Sequence, residues 1–295
     1  MSIEAWIESR RAGKSSVGPG ASRVLDVLTA QPRFASYATA RQVADEADVD
    51  ISTVTRTAQS LGYRGWPGLQ LEIRDRYLGE LTAEEILADH AGDSVDPIAV
   101  ALRNDSANLA LMARTLDVDA VRSLARAIRR SRRTLVIASG SYLAPAVMLA
   151  HVGGLSGLDI DYDGVGGTRR AGLITRMRPG DCLVVFNVWL LPRDVLRAAR
   201  LAKERGLVTG VITDRHSSPL AEVGDHVVVV PSEGPAHFPS LTPAMAVINA
   251  VLNEITAADP DGVRVALSEG EEIWSRLDLM EDLPERKRRR PRDGR

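Results

Sequence analysis

The sequence is poor in aromatic residues and nearly free of cysteine. Aromatic side chains make up 4% of its 295 residues, and Cys182 is its single cysteine. One cysteine excludes an internal disulfide and a cysteine-based zinc site. No stretch approaches the roughly 20 consecutive apolar residues that a membrane helix needs, and Met1–Trp6 lacks the apolar core of a secretory signal. We therefore expect a cytoplasmic protein with no membrane partner.

The apolar periodicity changes along the chain and predicts two domains. Up to about Leu87 the pattern is helical, whereas from about Thr134 β-branched runs alternate with amphipathic helices, as in a parallel α/β sheet. The composition, 44% hydrophobic and 26% charged, is that of a globular protein. We expect an all-α domain over residues 1–85, a helical linker over 86–116, an α/β domain over 117–258 and a C-terminal extension over 259–295.

Two polar segments lie outside the predicted cores. His90–Pro97 reads as a linker or a helix start, and helical segments follow over Ile98–Met112 and Val118–Arg130, the second capped by Asp117. Near the C-terminus, Glu285–Arg292 is rich in arginine. Such a run repels itself, so we expect a solvated tail, with an arm that contacts DNA as the alternative.

Three short helices in the first domain are predicted to form a helix-turn-helix. We expect them over Ser22–Leu28, Ala40–Ala47 and Ile51–Leu61. Thr39 is the expected N-cap of the second helix, and Gly62 is expected to end the third in a left-handed conformation.

The outer face of the third helix carries the candidate DNA-binding residues. They are short or planar hydrogen-bonding side chains, namely Ser52, Thr53, Thr55, Arg56 and Gln59. Small residues at a helix N-terminus let the backbone approach phosphates, while arginine and glutamine pair bidentately with guanine and adenine. The alternative is an ordinary solvated face of a helical bundle.

The net charge of the chain gives little support for a nucleic-acid partner. The positions of the charged residues along the sequence are more informative. The formal charge of the chain is -2, and residues 1–80 hold ten basic and ten acidic side chains. Within the third helix, however, Arg56 is the only charged residue, because the nearby acids all precede it. We therefore expect binding to depend on a narrow basic face and on dimerisation.

The segment after the third helix supports a more specific identification. Leu61-Gly62-Tyr63 is followed by Gly65-Trp66-Pro67, and this order resembles the end of the DNA-binding domain in the MurR/RpiR family of bacterial transcriptional regulators. The resemblance covers about residues 20 to 80, with one departure at Thr57, where the family has phenylalanine. It implies a homodimer or homotetramer that binds double-stranded operator DNA and regulates sugar or catabolic genes.

The second half of the chain is predicted to form a doubly wound sheet of five parallel strands. The strands are expected over Thr134–Ala138, Leu158–Tyr162, Cys182–Phe186, Leu207–Ile212 and Asp225–Val230. The helices are expected near Leu143–Gly154, Gly167–Met177, Arg193–Arg205, Pro219–Val223 and Thr242–Ile255. In such sheets the ligand site lies beyond the carboxyl ends of the strands.

This second domain resembles the SIS (sugar isomerase) domain that accompanies the RpiR-type DNA-binding domain. Ala138-Ser139-Gly140-Ser141 and Met177–Phe186 carry the resemblance, which covers about residues 115 to 258. It implies an effector site for a carbohydrate derivative at the strand ends. The candidate effector-binding residues there are Ser139, Gly140, Ser141, Asn187, Trp189, Thr213 and Ser217.

One loop of this site departs from the family pattern. Where the family has Ser-x-Ser-Gly-x-Thr, this chain has Asn187–Pro192, with Trp189 and two leucines in place of small polar residues. Burying a phosphate dianion there without donors is costly. We expect weak or absent binding of simple sugar phosphates. Either a larger, less charged effector sits against Trp189, or the pocket is lost and the domain serves only dimerisation.

Residues suited to catalysis are scarce in the predicted strand-end loops. No glutamate falls within the three candidate loops, and His216 and His237 are the only histidines near predicted loop ends. The histidines are too scattered to suggest a metal site. We therefore expect no enzyme activity, no metal and no cofactor. The alternative is a sugar-phosphate isomerase with a helical N-terminal extension.

Overall fold

The computed structural model of the protein describes residues 3–11, 18–89 and 96–281. Most of the predicted linker at 90–97 and the predicted basic tail at 285–292 therefore lie outside the described residues. The first part of the chain is helical. Its helices are α1 (Ile3–Arg11), α2 (Pro19–Ala30), α3 (Pro32–Tyr37), α4 (Ala40–Glu46), α5 (Ile51–Ser60), α6 (Trp66–Glu80) and α7 (Ala83–Asp89).

The predicted helix-turn-helix is present as α2, α4 and α5, and its ends follow the local chemistry. The Thr39 hydroxyl accepts the Gln42 N–H at 3.3 Å, while the Gln42 side chain accepts the Thr39 N–H at 2.8 Å, so a capping box starts α4. Gly62 ends α5 with φ +97°, the left-handed conformation expected of it. The helices α1, α3 and α7 have no counterpart in the sequence prediction.

The core of the helical domain explains α1 and α3. Trp6 and Ile7 of α1 and Ala35 of α3 are buried in the same cluster as Val54 and Leu69. Pro32, which marks the end of α2, also occupies the first turn of α3, where its missing N–H costs nothing. Both helices are short, and they are stabilised by this burial more than by their own propensity.

The second part of the chain is an α/β domain. Its elements are α8 (Pro97–Thr115), α9 (Val118–Arg130), β1 (Thr134–Ile137), α10 (Leu143–Leu155), β2 (Ile160–Asp163), α11 (Gly167–Thr175), β3 (Cys182–Phe186), α12 (Arg193–Glu204), β4 (Val208–Thr213), β5 (His226–Val229), α13 (Thr242–Ala258) and α14 (Pro260–Arg276). A single 3-10 turn, Gly140–Tyr142, lies between β1 and α10.

The predicted five-stranded parallel sheet is confirmed. The strands lie in the order β2-β1-β3-β4-β5, and every neighbouring pair is parallel. Helices cover both faces: Leu124, Leu149 and Val247 bring α9, α10 and α13 into one core cluster, while Leu173 and Val195 bring α11 and α12 into the other. The carboxyl ends of β1, β3 and β4 therefore meet at one edge.

One prediction about secondary structure is wrong in this domain. Pro219–Val223 forms successive tight turns, because Gly224 follows directly and the segment is too short for a helix. In the C-terminal extension, α14 was not predicted, although Asp259 caps it by accepting the Gly262 N–H at 3.0 Å. Within the described part of the chain, no helix is both long and apolar enough to cross a membrane.

We expect Gly210→Ala to lower the free energy of unfolding by about 1–3 kcal/mol, the usual cost of overpacking. A methyl group at Gly210 in β4 would lie 2.3 Å from Cδ1 of Leu124, which is fully buried between α9 and the sheet. Urea unfolding measures the effect. The matched control is Gly154→Ala in α10, where the new methyl group meets nothing within 4 Å. We expect this control to be neutral or stabilising by about 0.5–1 kcal/mol.

Candidate functional site

The five predicted DNA-binding residues share one face of α5. Ser52, Arg56 and Gln59 are exposed and Thr53 and Thr55 are half-buried, whereas Val54, Thr57 and Ala58 on the opposite face are buried. Arg56 Nη2 donates to Thr53 Oγ1 at 3.2 Å, which holds the guanidinium along the outer surface of the helix. Thr57 stands at the position where the family has phenylalanine. Its hydroxyl donates to the Thr53 carbonyl at 2.8 Å, so the buried polar group has a hydrogen-bond partner within the helix.

The turn before α5 is clamped by an arginine that the sequence prediction did not single out. Arg23 of α2 donates through Nε to the Ala47 carbonyl at 3.0 Å and through Nη2 to the Asp48 carbonyl at 2.9 Å. Asp48 has φ +50°, a left-handed conformation that is uncommon outside glycine. The clamp fixes the angle between α2 and α5, and with it the direction of the exposed face.

Helix α6 connects the helix-turn-helix to the rest of the molecule. Trp66 Nε1 and Gln70 Nε2 both donate to the Ala38 carbonyl, at 3.0 and 2.6 Å, so the first turns of α6 are fixed against the loop before α4. Gly68 lies against the ring of Tyr63, where an added methyl group would be in ordinary contact at 3.6 Å. The aromatic residues of the Gly-Tyr and Gly-Trp-Pro phrases therefore have a structural role.

The same helix is bound to the α/β domain by polar contacts on its other side. Arg74 forms an ion pair with Glu233, and the Ser217 hydroxyl donates to the Glu72 carboxylate. Arg215 Nη1 donates to the Asp75 carbonyl at 3.0 Å. These contacts join α6 to the loops that follow β4 and β5.

Two buried carboxyl groups lie at this junction. Asp75 is 1% exposed, and neither of its carboxyl oxygens has a hydrogen-bond partner among the described residues. Burial raises the pKa of Asp75 well above its usual value; the nearby Asp214 raises it further, and Arg215 opposes the shift. Burial also raises the pKa of Asp214, whose Oδ2 accepts the Trp189 N–H at 2.6 Å.

The predicted effector residues lie at the carboxyl edge of the sheet, but the structure does not bring all of them together. Ser139, Gly140 and Ser141 follow β1, and Gly140 and Ser141 are exposed. Asn187 and Thr213, at the ends of β3 and β4, are buried neighbours, since the Asn187 N–H donates to the carbonyl that precedes Thr213, at 3.1 Å. Ser217 points the other way, because its hydroxyl is bonded to Glu72 of the helical domain.

Trp189 is held in a strained conformation at this edge. Its φ is +57°, rare for a bulky residue, and the Asp214 carboxylate secures its backbone N–H. The Trp189 indole N–H and the Asn187 amide oxygen are buried without hydrogen-bond partners among the described residues. Tyr142 packs edge-on against Phe186 at 6.1 Å between ring centroids, and burial raises the pKa of its phenol to about 12.

The two arginines at the start of α11 are paired with carboxylates and are therefore not available to bind an anion at this edge of the sheet. Arg170 is buried and donates to Asp163 at 2.9 Å, to Asp194 at 2.6 Å and to the Ala138 carbonyl at 3.3 Å. Arg169 also pairs with Asp163, at 3.4 Å. No group of three or more metal-ligating side chains occurs in the described ranges. Cys182 is buried within β3, and burial raises the pKa of its thiol to about 12.

Both halves of the chain are similar to known proteins. A profile described as the helix-turn-helix domain of the rpiR family matches residues 1–79. YfhH, an uncharacterized HTH-type transcriptional regulator of Escherichia coli K12, is 28% identical over 123 residues, covering 40% of this chain but only 44% of YfhH. An uncharacterized HTH-type transcriptional regulator of Haemophilus influenzae is 21% identical over 213 residues, 70% of this chain and 73% of that protein.

Solved structures extend the similarity to the α/β domain. The sugar isomerase domain of an RpiR transcription factor from Sphaerobacter thermophilus is 30% identical, with a TM-score of 0.58, and the match covers 60% of this chain and 99% of that one. The Vibrio vulnificus NanR protein, complexed with ManNAc-6P, shares the fold over 94% of this chain and 100% of its own, at 18% identity and a TM-score of 0.59.

We expect Asp75→Asn to raise the free energy of unfolding at pH 8 and to reduce its dependence on pH. Burial raises the folded-state pKa of Asp75, so the folded protein holds a proton that the unfolded chain, with a pKa of about 3.9, releases. Stability from this group is present below about pH 4 and is lost as pH rises through the folded-state pKa.

Urea unfolding between pH 4.5 and 8 measures this effect. The control is Asp26→Asn on the exposed face of α2, which we expect to leave the pH profile unchanged. A loss of stability in Asp75→Asn at pH 8 would show that Asp75 is ionised and paired in the folded protein.

Proposed function

Because the chain belongs to the RpiR family of transcriptional regulators, we propose that α5 binds the major groove of double-stranded operator DNA. The observation that carries this proposal is the shared outer face of α5, where Arg56 and Gln59 are exposed one turn apart. Such side chains recognise guanine and adenine edges in the major groove. Ser52 and Thr53, in the first turn of α5, lie where helix N-termini approach phosphates.

Oligomerisation is part of the same proposal. A single short helix contacts few base pairs, and helix-turn-helix proteins gain affinity and specificity by placing two recognition helices on successive half-sites. We propose a homodimer or homotetramer assembled through the α/β domain, bound to an inverted repeat that controls sugar or catabolic genes. Its relatives are transcriptional regulators, which favours this role over catalysis by an isomerase.

For the carboxyl edge of the sheet we propose an effector that is a carbohydrate derivative with little charge. Asn187 and Trp189 offer a buried amide oxygen and a buried indole N–H, both unpartnered in the described chain, and a hydroxyl group satisfies either. The cationic groups near this edge, Arg169 and Arg170, are already paired with Asp163. NanR, which shares the fold, binds a phosphorylated sugar; the paired arginines and Trp189 favour a different ligand here.

Operator selection tests the DNA-binding proposal directly. Random duplex DNA incubated with the pure full-length protein, recovered and sequenced should be enriched in an inverted repeat. Recovery of no enriched sequence after several rounds would contradict specific DNA binding by this chain.

On the selected operator, we expect Arg56→Ala to weaken binding by about 1–3 kcal/mol, since one bidentate base contact is lost. Fluorescence anisotropy with labelled operator, at fixed salt, measures the affinity. The control is Arg130→Ala on the exposed end of α9, which removes the same charge from the other domain. Equal affinities for Arg56→Ala and the unmodified protein would exclude Arg56 from the interface.

For the effector site, we expect ManNAc-6P to bind weakly or not at all. The physical reason is that the nearby cationic groups, Arg169 and Arg170, are already paired with Asp163, so no free cation compensates a phosphate dianion at the carboxyl edge. Isothermal titration calorimetry with ManNAc-6P and with unphosphorylated N-acetylmannosamine compares the two chemistries. Micromolar binding of ManNAc-6P, together with no binding of N-acetylmannosamine, would contradict the proposed low-charge effector.

A further inference from the structure

A cleft of about 330 Å³ lies between the two domains, beside the carboxyl-edge site but outside it. One wall is the segment after α5 together with the start of α6, including Tyr63 and Gly68. The other wall belongs to the α/β domain and includes Arg114 at the end of α8 and His216 after β4. Its volume is at the lower end of the range for small-molecule pockets. A ligand here would contact both domains.

Three of the residues that line the cleft are arginines. Arg64 comes from the helical domain, and Arg114 and Arg215 come from the α/β domain. Arg114 is exposed and has no hydrogen bond or ion pair within the described ranges. Arg64 approaches Asp117 only at 3.7 Å, and its side chain is 78% exposed. The Arg114 guanidinium is therefore unpaired in the described chain, and that of Arg64 is held only by a solvent-exposed ion pair that an anionic ligand can replace.

The acidic residues of the cleft all accept hydrogen bonds from the protein itself, although Glu72 Oε2 has no partner among the described residues. Glu72 accepts from Arg76 Nε at 2.8 Å and from Ser217. Asp117 accepts two backbone N–H groups at the start of α9, both at 3.1 Å. Asp214 accepts the Trp189 N–H, and burial disfavours its ionised form. The balance of unsatisfied charge in the cleft is therefore positive.

Apolar surface completes the lining. Pro67 and Leu71 of α6 face the cleft from one side and Val229 from the other, while the rings of Tyr63 and His216 meet edge-on at 6.4 Å between centroids. A bare inorganic ion would leave this surface uncovered. A ligand with a short carbon skeleton and one anionic group matches both parts of the lining.

We propose that this cleft binds a small organic anion, a carboxylate or a phosphate ester, held between Arg64 of one domain and Arg114 of the other. The guanidinium fork pairs bidentately with either oxyanion. Such a ligand favours the arrangement in which both arginines face the cleft over any arrangement in which the domains separate. The site is independent of the effector proposed at the carboxyl edge, which uses neither arginine.

The test is a titration of the full-length protein without DNA, using inorganic phosphate and succinate as probes and sodium chloride to fix ionic strength. Thermal unfolding midpoints should rise at millimolar probe concentrations and then continue to rise with the logarithm of the concentration, because a ligand that binds only the folded state stabilises it. A response to phosphate alone identifies a phosphate ester as the natural class, and a response to succinate alone identifies a carboxylate.

Matched variants locate the binding. We expect Arg114→Gln and Arg64→Gln each to weaken probe binding about tenfold, the scale of one charge-assisted hydrogen bond, and Arg114→Lys to retain part of it. Arg129→Gln, on the exposed end of α9, should bind as the unmodified protein does. The proposal is overturned if neither probe raises the midpoint above that in sodium chloride of the same ionic strength. It is also overturned if Arg129→Gln loses as much of the response as Arg114→Gln, or if only Arg56→Gln loses it, which would place the anion on α5.

Discussion

The arrangement of the two domains depends on α6. On one side its Trp66 and Gln70 donate to the Ala38 carbonyl, which fixes the helix to the helix-turn-helix. On the other side Arg74 pairs with Glu233, and Glu72 accepts a hydrogen bond from Ser217. Because α6 is fixed to the helix-turn-helix, any movement of the α/β domain relative to α6 also changes the position of α5 relative to the α/β domain.

The contacts of α6 also reach the carboxyl edge of the sheet. Asp214 lies beside Asp75 at the junction, and its carboxylate holds the backbone of Trp189, the residue with the strained φ. Contiguity does not by itself couple two sites; coupling needs two arrangements that differ in free energy. The buried and unpartnered carboxyl group of Asp75 provides such a difference, since opening the junction hydrates it and lets it ionise.

The sequence predicts well those features that depend on local chemistry. The bounds of α9 and β3 agree with the prediction residue for residue, because Asp117 caps the helix and the strand is an uninterrupted buried run. The exposed face of α5 follows from helical spacing alone. In contrast, α6 has no polar face to recognise, because it packs between two domains and buries Glu72 and Asp75 along with its leucines. Long-range partners of this kind leave no periodic signal in a single sequence.

The same limit explains why Ser217 was assigned to the effector site. Its position at the end of a parallel strand is correct, but its partner is a carboxylate on a helix far away in sequence, and no local pattern indicates that contact. The arginines also differ in their pairing. Arg169 and Arg170 are neutralised by Asp163 beside the sheet, whereas Arg64 and Arg114 face the cleft between the domains. Exposed positive charge attracts anionic ligands, and that of Arg64 and Arg114 lies where a ligand would touch both the helical domain and the α/β domain.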